Sequence, residues 1–372
     1  MNNKVISVGF HVSDPAFRNG RLFFDPARDN YNERFIQLKK SLELNSISLM
    51  THDQCRDSKL DVLVFYDVSS SLRSILQFIG SNKNVLLFYV PVEPPVISAW
   101  HNKEMLSVMP FDRIFVWNDD LAEKDTPFVK SNIGEAVIDV DSIPSVSFSD
   151  KRFLTAIYSN KFIKHENGLY EERLKSFDYF SEQPEGLDLY GMGWDKSTRS
   201  SIVSSYRGKC EAKMDVLKKH KFSICFENTK GYPGLITEKI FDCFAAGTVP
   251  IYYGAPNIQD YIPNSCFIDF RDFYNYAELY QYLVEMTEAE YHKYLDAVKD
   301  FILTPEYYEF TSKRYAEIML EEIQLVMSES KPNRSIVGFK WLLLKVVLNK
   351  PIFFLKNLKS CRRFLFDLVT VW

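Results

Sequence analysis

The sequence predicts two α/β domains with parallel sheets, followed by a basic tail. Three observations lead to this fold class. Short apolar runs alternate with helical patterns through residues 1–148 and again through residues 149–330, which is the pattern of βαβ units. A chain of 372 residues is long enough for two domains of ordinary size. Hydrophobic residues make up 46% of the chain and charged residues 25%, a balance that excludes a largely disordered protein.

Residues 1–148 are predicted to form the first domain. The predicted strands are Val5–Phe10, Ser46–Met50, Asp61–Tyr66, Val85–Val90 and Arg113–Trp117, and the predicted helices are Glu33–Leu44 and Ser70–Gly80. The N-terminal residues lack the basic and long apolar regions of an export signal, so we expect them to enter the first strand. Pro144 and the serines around it indicate a linker at the end of this domain.

Residues 149–330 are predicted to form the second domain. The predicted strands are Phe153–Tyr158, Leu187–Tyr190, Phe222–Phe226, Val249–Tyr253 and Cys266–Ile268. The predicted helices are Gly168–Phe180, Lys213–His220, Thr237–Ala246, Tyr276–Glu285, Glu288–Phe301 and Phe310–Ser328. Two such domains facing each other would enclose a cleft between two sets of strand carboxyl ends, where open α/β sheets bind ligands.

Composition excludes several classes of partner. A formal charge of −4 does not fit a nucleic-acid-binding polycation, so we expect no nucleic-acid partner. The six cysteines are scattered and form no C-x-x-C pair, which favours reduced thiols in a cytoplasmic protein over a disulfide framework or zinc site. The D-x-D pattern at Asp139–Asp141 and the acidic residues in Asn118–Asp120 are short enough to arise by chance. We therefore expect no protein-bound metal.

The tail differs in charge from the rest of the chain. Residues 333–372 contain eight lysines or arginines against one acid, Asp367, which gives +7, while the whole chain carries −4. Its halves, Phe339–Leu348 and Ile352–Leu368, have apolar residues at helical spacing, and neither reaches the ~20 apolar residues needed to span a bilayer. We expect amphipathic helices on an anionic membrane surface, at the cytoplasmic inner face of a membrane. The alternative is that these helices pack on a domain.

The most informative stretch is Phe222–Phe273, which begins FSICFENTKGYPGLITEKIF. A buried strand leads to Glu227 and Asn228, and after a glycine-rich turn a helix starts near Thr237. Lys239 lies in the first turn of this helix, where the macrodipole disfavours a cation. A phosphate bound by the helix N-terminus and Lys239 would explain this placement. The alternative is a solvated surface lysine.

A second candidate is Glu93 in the run Val85–Pro95 (VLLFYVPVEPP). It follows a predicted strand and sits among prolines, which fix φ and hold the carboxylate on a stiff turn. At the carboxyl end of a strand it would face a ligand cleft. The alternative is a loop glutamate exposed to water.

Residues 226–273 resemble the C-terminal motif of the glycosyltransferase family 10 fucosyltransferases, in particular bacterial-type α-1,3-fucosyltransferases. The shared elements are F-E-N at Phe226–Asn228, I-T-E-K at Ile236–Lys239, G-x-V-P-I-Y-x-G from Gly247, and F-I-D at Phe267–Asp269. The likeness extends over roughly residues 85–305 and includes Tyr158–Asn160, Leu189–Gly191, Lys213, and Glu93 with Pro94.

Two positions depart from the family pattern. Many relatives have tyrosine where this chain has Leu235, so the ring contact with the donor is missing or comes from Tyr232. Relatives also have an arginine for the donor diphosphate soon after the serine–asparagine pair. Arg173 is the best candidate for that role here, and Arg207 is the reserve.

The resemblance implies a GT-B fold of two Rossmann-like domains, with acceptor binding in the first and GDP-β-L-fucose binding in the second. It implies transfer of fucose with inversion to a glycan hydroxyl, by default α-1,3 to N-acetylglucosamine. Glu93 would be the catalytic base. The donor-binding residues would be Arg173, Lys213, Glu227, Asn228, Tyr232, Thr237, Glu238 and Lys239. No metal or other cofactor is implied, because cationic side chains can stabilise the departing GDP.

Two other readings of the sequence stay open. The same fold could use a different GDP-sugar, or the chain could be a non-catalytic glycan-binding relative associated with a membrane. The expected acceptor rests on the family resemblance alone, because acceptor choice depends on loops of the first domain.

Overall fold

The computed structural model describes residues 5–12, 14–25, 31–55, 60–67, 85–98, 101–107, 109–122, 127–135 and 137–328. They form two compact units. Within these ranges the first unit holds residues up to 25, residues 32–131 and residues 312–328, and the second holds Tyr31 and residues 132–311. The predicted helix Ser70–Gly80 and the tail 331–372 lie outside the described residues.

The first unit is built on a parallel sheet of six strands in the order β2-β1-β3-β4-β5-β6. These strands are β1 Ile6–His11, β2 Ile47–Thr51, β3 Val62–Tyr66, β4 Leu86–Val90, β5 Arg113–Val116 and β6 Phe128–Lys130. Strands β3 and β4 read VLVFY and LLFYV, and they are buried along almost their whole length. Continuous apolar runs of this kind are typical of parallel sheets covered on both faces. Among the described residues before Ser131, the helices of this unit are α1 Glu33–Leu44 and α2 Lys103–Leu106.

The second unit repeats the architecture with the strand order β12-β11-β10-β7-β8-β9, again all parallel. Its strands are β7 Arg152–Ile157, β8 Asp188–Tyr190, β9 Tyr206–Gly208, β10 His220–Phe226, β11 Val249–Tyr253 and β12 Ile268–Asp269. Its helices are α3 Tyr170–Ser181, α4 Ser200–Ser205, α5 Lys213–Leu217, α6 Glu238–Ala245, α7 Tyr276–Glu285, α8 Glu288–Ile302 and α9 Pro305–Tyr308. The predicted fold class, two α/β units with parallel sheets, is confirmed.

Helix α10, Ser312–Ser328, belongs to the first unit although it follows the second along the chain. Its apolar face, including Tyr315, Met319 and Ile323, is buried in the same core as Phe35 and Leu38 of α1. An ion pair between Arg113 Nε and Glu322 Oε2 at 2.5 Å ties the helix to β5.

The boundaries between the units therefore differ from the predicted division at residues 148 and 330. Residues 132–148 pack on the second unit, where Ile138, Val140 and Ile143 contact its core and the Ile138 amide donates to the Tyr307 hydroxyl at 2.8 Å. Among the described residues no helix is both long and apolar enough to cross a bilayer.

In each sheet there is one position at which the strand order reverses, so that successive strands are added on opposite sides of it. In the second unit, β8 and β9 lie on one side of β7, and β10 to β12 lie on the other. The switch point is thus between β7 and β10, and ligands of doubly wound sheets bind outside the carboxyl ends of the strands at such points.

Candidate functional site

The switch point of the second unit is held together by Tyr158, which follows β7. Its hydroxyl accepts the Phe226 N–H at 2.8 Å and lies 3.0 Å from the carbonyl oxygens of Ile224 and Phe226. The tyrosine therefore fixes the end of β10 beside β7. Glu227 and Asn228, which follow β10 directly, are therefore attached to a firmly held strand end.

Glu227 is the centre of a buried ion-pair network. Its side chain is 1% exposed, and its Oε2 lies 3.0 Å from Lys239 Nζ. The Thr237 backbone N–H donates to Oε1 at 3.0 Å, and the Thr237 hydroxyl lies 2.9 Å from both carboxylate oxygens. Thr237 is the N-cap of α6, yet its hydroxyl bonds the side chains of Glu227 and Lys239 and accepts no backbone N–H of the helix. This network fixes the start of α6 against the end of β10.

The electrostatics explain why Lys239 is tolerated at a helix N-terminus. Burial lowers the pKa of the Lys239 ammonium, but Glu227 and Glu238 outweigh that effect and raise it above its usual value. Partial burial raises the pKa of the Glu238 carboxyl, whereas Lys239 and Lys213 lower it, with a net result of about 2. Both side chains are charged at neutral pH. The lysine is thus partly neutralised within the protein, which the sequence did not show.

Lys213, one of the predicted donor-binding residues, forms an ion pair within the second unit. Its Nζ lies 2.7 Å from Asp242 Oδ2, so α5 and α6 are joined by this ion pair. Burial lowers the pKa of Lys213, and Asp242 and Glu238 raise it to a net value above normal. Lys213 contributes positive charge near Glu238.

Arg173 of α3 is 6% exposed and reaches the end of β10. Its Nη2 donates to the Phe226 carbonyl at 2.7 Å and to Asn228 Oδ1 at 3.0 Å, and the guanidinium carbon lies 4.3 Å from the ring centroid of Tyr158. Its Nε is buried without a hydrogen-bond partner among the described residues. A buried cation without a carboxylate partner favours an anionic ligand, because an uncompensated buried charge is costly.

The glycine-rich turn after Asn228 holds Tyr232 and leads to Leu235. Tyr232 is half-buried, and its hydroxyl interacts with the Asn167 side chain. Leu235 is 2% exposed, and its carbonyl accepts from the Tyr252 hydroxyl at 3.3 Å. Leu235 is therefore part of the core, whereas the ring of Tyr232 is partly accessible to a ligand.

Gly254, which ends the G-x-V-P-I-Y-x-G motif, is required by close packing. A Cβ at this position would lie 2.6 Å from Glu227 Cγ and 2.5 Å from the Tyr252 hydroxyl. A larger residue would displace Glu227, so this glycine preserves the ion-pair network.

Glu93 lies in the first unit, three residues after β4 ends, and is half-buried. It lines a small pocket with the following residues: Pro91, His101, Leu106, Val116, Trp117, Asn118 and Leu121. Pro91 and Trp117 are almost fully buried, so the turn that carries Glu93 is firmly packed.

The remaining sequence candidates have structural roles. Asp139 caps a short 3₁₀ turn by accepting from the Asp141 N–H at 3.2 Å, and Asp119 pairs with Lys130 at 2.6 Å. Arg207, the reserve for the donor diphosphate, pairs with Asp188 at 2.7 Å; Asp188 is the first residue of β8, at the opposite end of the sheet from Glu227. Within the described ranges, no three metal-ligating side chains cluster together.

The sequence analysis assigned no role to several residues around these sites: Asp67, His101, Tyr158, Asp242 and Gly254. Tyr158 and Gly254 lie inside motifs that the sequence had already marked. Asp67 and His101 carry no local signal, because their partners are 26 and 8 residues away.

Residues 150–331 match the family model described as glycosyltransferase family 10 (fucosyltransferase) C-term. The alpha-(1,3)-fucosyltransferase FucT of Helicobacter pylori is 41% identical over 101 residues, which is 27% of this chain and 20% of that protein. The 4-galactosyl-N-acetylglucosaminide 3-alpha-L-fucosyltransferase 9 of Mus musculus is 38% identical over 96 residues, 24% of this chain and 26% of that protein. The chain thus spans about a fifth to a quarter of the length of these curated relatives.

The fold is similar to that of a solved glycosyltransferase structure. A crystal structure of an α1,3-fucosyltransferase with GDP-fucose superimposes with a TM-score of 0.52 and 15% identity, over 90% of this chain and 95% of that chain. This likeness identifies the fold as that of the GT-B glycosyltransferases. Residues 150–331, which carry the F-E-N and I-T-E-K motifs around Glu227 and Lys239, are thus similar to the C-terminal domain of glycosyltransferase family 10, the fucosyltransferase family.

Proposed function

We propose that this protein transfers L-fucose from GDP-β-L-fucose to a hydroxyl of a glycan acceptor with inversion at the anomeric carbon. The observation that carries the proposal is that the domain matching family 10 has cationic side chains at the switch point of its sheet. Among the described residues the buried Nε of Arg173 has no hydrogen-bond partner, and Lys239 in the first turn of α6 is close enough for the Arg173 charge to lower its pKa. Such an arrangement suits a nucleoside diphosphate.

The proposed mechanism assigns each group one task. Glu93 takes the proton of the acceptor hydroxyl as its oxygen bonds to the anomeric carbon. The bond from that carbon to the β-phosphate oxygen breaks, and GDP leaves with its electron pair. Arg173, Lys239 and the N–H groups of α6 stabilise the charge that builds on GDP.

The other donor residues complete the proposed site. Glu238 would bond the ribose hydroxyls, and Glu227 and Asn228 would line the sugar pocket. Tyr232 would contact the donor with its ring, and Lys213 would add positive charge. The acceptor is proposed to be an N-acetylglucosamine-containing glycan, fucosylated at its 3-hydroxyl.

A donor-by-acceptor screen tests the proposal. The purified chain is incubated with GDP-fucose, GDP-mannose or GDP-glucose and with acceptors containing N-acetylglucosamine, and product linkages are determined by NMR. We expect an α-1,3-fucoside from GDP-fucose. Turnover with another GDP-sugar alone would move the chain to a different donor, and GDP binding without any turnover would indicate a glycan-binding protein.

The proposed cationic site also predicts behaviour without divalent metal. Because Arg173 and Lys239 neutralise the leaving GDP, we expect fucosyl transfer to continue at a similar rate in excess EDTA. The measurement is initial rate with and without EDTA, followed by addition of Mn²⁺. Complete loss of activity, restored by Mn²⁺, would contradict the proposal.

We further propose that the basic tail, outside the described residues, binds an anionic membrane surface on the cytoplasmic side. Each basic residue near such a surface contributes about 1 kcal/mol, so the full-length double variant Arg362→Gln/Arg363→Gln should bind vesicles at least tenfold more weakly. Sedimentation with phosphatidylserine vesicles measures this, and phosphatidylcholine vesicles are the control. Equal sedimentation of both proteins with anionic vesicles would contradict a membrane role for these arginines.

A further inference from the structure

Side chains from elsewhere in the first unit hydrogen-bond to the backbone of the turn that carries Glu93. The Val92 and Glu93 N–H groups donate to the same oxygen of Asp67, Oδ1, at 3.3 and 3.2 Å. The Val92 carbonyl accepts from Trp117 Nε1 at 2.9 Å, and the Glu93 carbonyl accepts from His101 Nδ1 at 2.5 Å. Four consecutive backbone groups are therefore satisfied by three side chains from three different parts of the first unit.

The contacts of His101 define its protonated nitrogen. The Glu93 carbonyl can only accept, so Nδ1 carries the hydrogen, and Nε2 at 2.8 Å from the Tyr89 hydroxyl accepts from it. Burial lowers the pKa of His101 more than Asp67 and the Glu93 carbonyl raise it, so the ring is neutral. Because each ring nitrogen is hydrogen-bonded, one to Tyr89 of β4 and the other to the Glu93 carbonyl, the orientation of the ring is fixed.

Asp67 adopts a backbone conformation that such residues seldom use. It directly follows β3 and has φ +42°, in the left-handed region. Its own N–H donates to the Val90 carbonyl at 2.9 Å, and its carboxylate accepts from the turn after β4 that carries Glu93. Backbone strain of this kind persists where the surroundings enforce it, and it concentrates at functional sites.

We propose that Asp67, His101 and Trp117 are positioning residues that hold Glu93 in place as the base of the transfer reaction. The inference rests on the proposed function. It follows from what the bonds restrain: they fix the peptide units on both sides of the Glu93 Cα, and this limits the directions that the carboxylate can take. A base displaced by about 1 Å can lose about a hundredfold in rate.

The test measures kcat, KM and GDP affinity for Asp67→Ala, with Asp67→Asn as the conservative variant. We expect Asp67→Ala to lower kcat by about tenfold to a hundredfold, with GDP affinity unchanged, because only the base is misplaced. Asparagine keeps an oxygen that can accept both N–H bonds, so Asp67→Asn should restore most of kcat. Asp53→Ala is the matched control, because Asp53 also accepts a loop N–H, that of Asn19 at 2.8 Å, in the same unit.

A double-mutant cycle separates positioning from general loosening of the fold. If Asp67 acts through the Glu93 carboxylate, adding Asp67→Ala to Glu93→Gln should cause no further fall in kcat. Additive losses, or an equal loss of kcat in Asp53→Ala, would overturn the inference while leaving Glu93 as the base. Unchanged turnover in Glu93→Gln would instead remove the base assignment, and absence of turnover with any GDP-sugar would remove the proposed function.

Discussion

Glu93→Gln is expected to lower kcat for fucosyl transfer by about a hundredfold or more, which is the usual contribution of a positioned general base. Glutamine has nearly the shape of glutamate, and the Glu93 side chain takes no part in the bonds from Asp67, Trp117 and His101 to the turn. The turn should therefore keep its conformation and lose only basicity. GDP affinity should be unchanged, because the proposed diphosphate contacts are in the second unit.

The measurements for this variant are steady-state kinetics and GDP binding by calorimetry. Glu104→Gln is the matched control, because Glu104 is an exposed glutamate on the nearby helix α2 and has no proposed part in catalysis. Near-normal turnover in Glu93→Gln would exclude Glu93 as the base. A parallel loss of GDP affinity would show that the substitution has disturbed more than proton transfer.

Lys239→Ala should affect both stability and donor binding. It leaves the carboxylate of Glu227, 1% exposed, without its ammonium partner. Removing one member of a buried ion pair typically costs about 3–5 kcal/mol, so we expect a fall of about 3 kcal/mol in the free energy of unfolding, since Thr237 still bonds Glu227. GDP should bind more weakly because a charge-assisted contact to the diphosphate is lost.

A double variant separates these two effects. Glu227→Gln/Lys239→Met removes both charges, so the stability should return toward that of the wild type while GDP binding stays weak. Urea denaturation and calorimetric titration with GDP provide the two readouts. Wild-type GDP affinity in Lys239→Ala would place the diphosphate elsewhere; Arg173 would then be the leading candidate, because Lys213 is committed to Asp242.

Strand positions were well predicted where apolar runs are long. Strand β11, Val249–Tyr253, and helices α1 and α7 have the predicted bounds. The two missed strands, Phe128–Lys130 and Tyr206–Gly208, have three residues each and lie at sheet edges, where solvent permits polar residues and no apolar run is needed. The predicted strand Cys266–Ile268 begins only at Ile268, since Asn264–Cys266 form a 3₁₀ turn.

The candidate site was predictable as a set of residues but not as a set of contacts. Local sequence placed Glu227, Thr237 and Lys239 at the junction of a strand and a helix, as the structure has them. It could not show that Lys239 pairs with Glu227, because the pairing depends on how the turn between them folds back. The bonds from Asp67 and His101 to Glu93 were invisible for a similar reason: sheet order, not chain order, brings them together.

The return of helix α10 to the first unit affects how the protein can be made. Tyr315, Met319 and Ile323 complete the core that α1 begins, so this core stays open until the ribosome has added helix α10. The second unit, residues 132–311, is contiguous apart from a short stretch near Tyr31 and can close its own core earlier. The late-synthesised segment thus completes the early domain, and an N-terminal fragment that stops at Ser131 would expose the apolar face of α1.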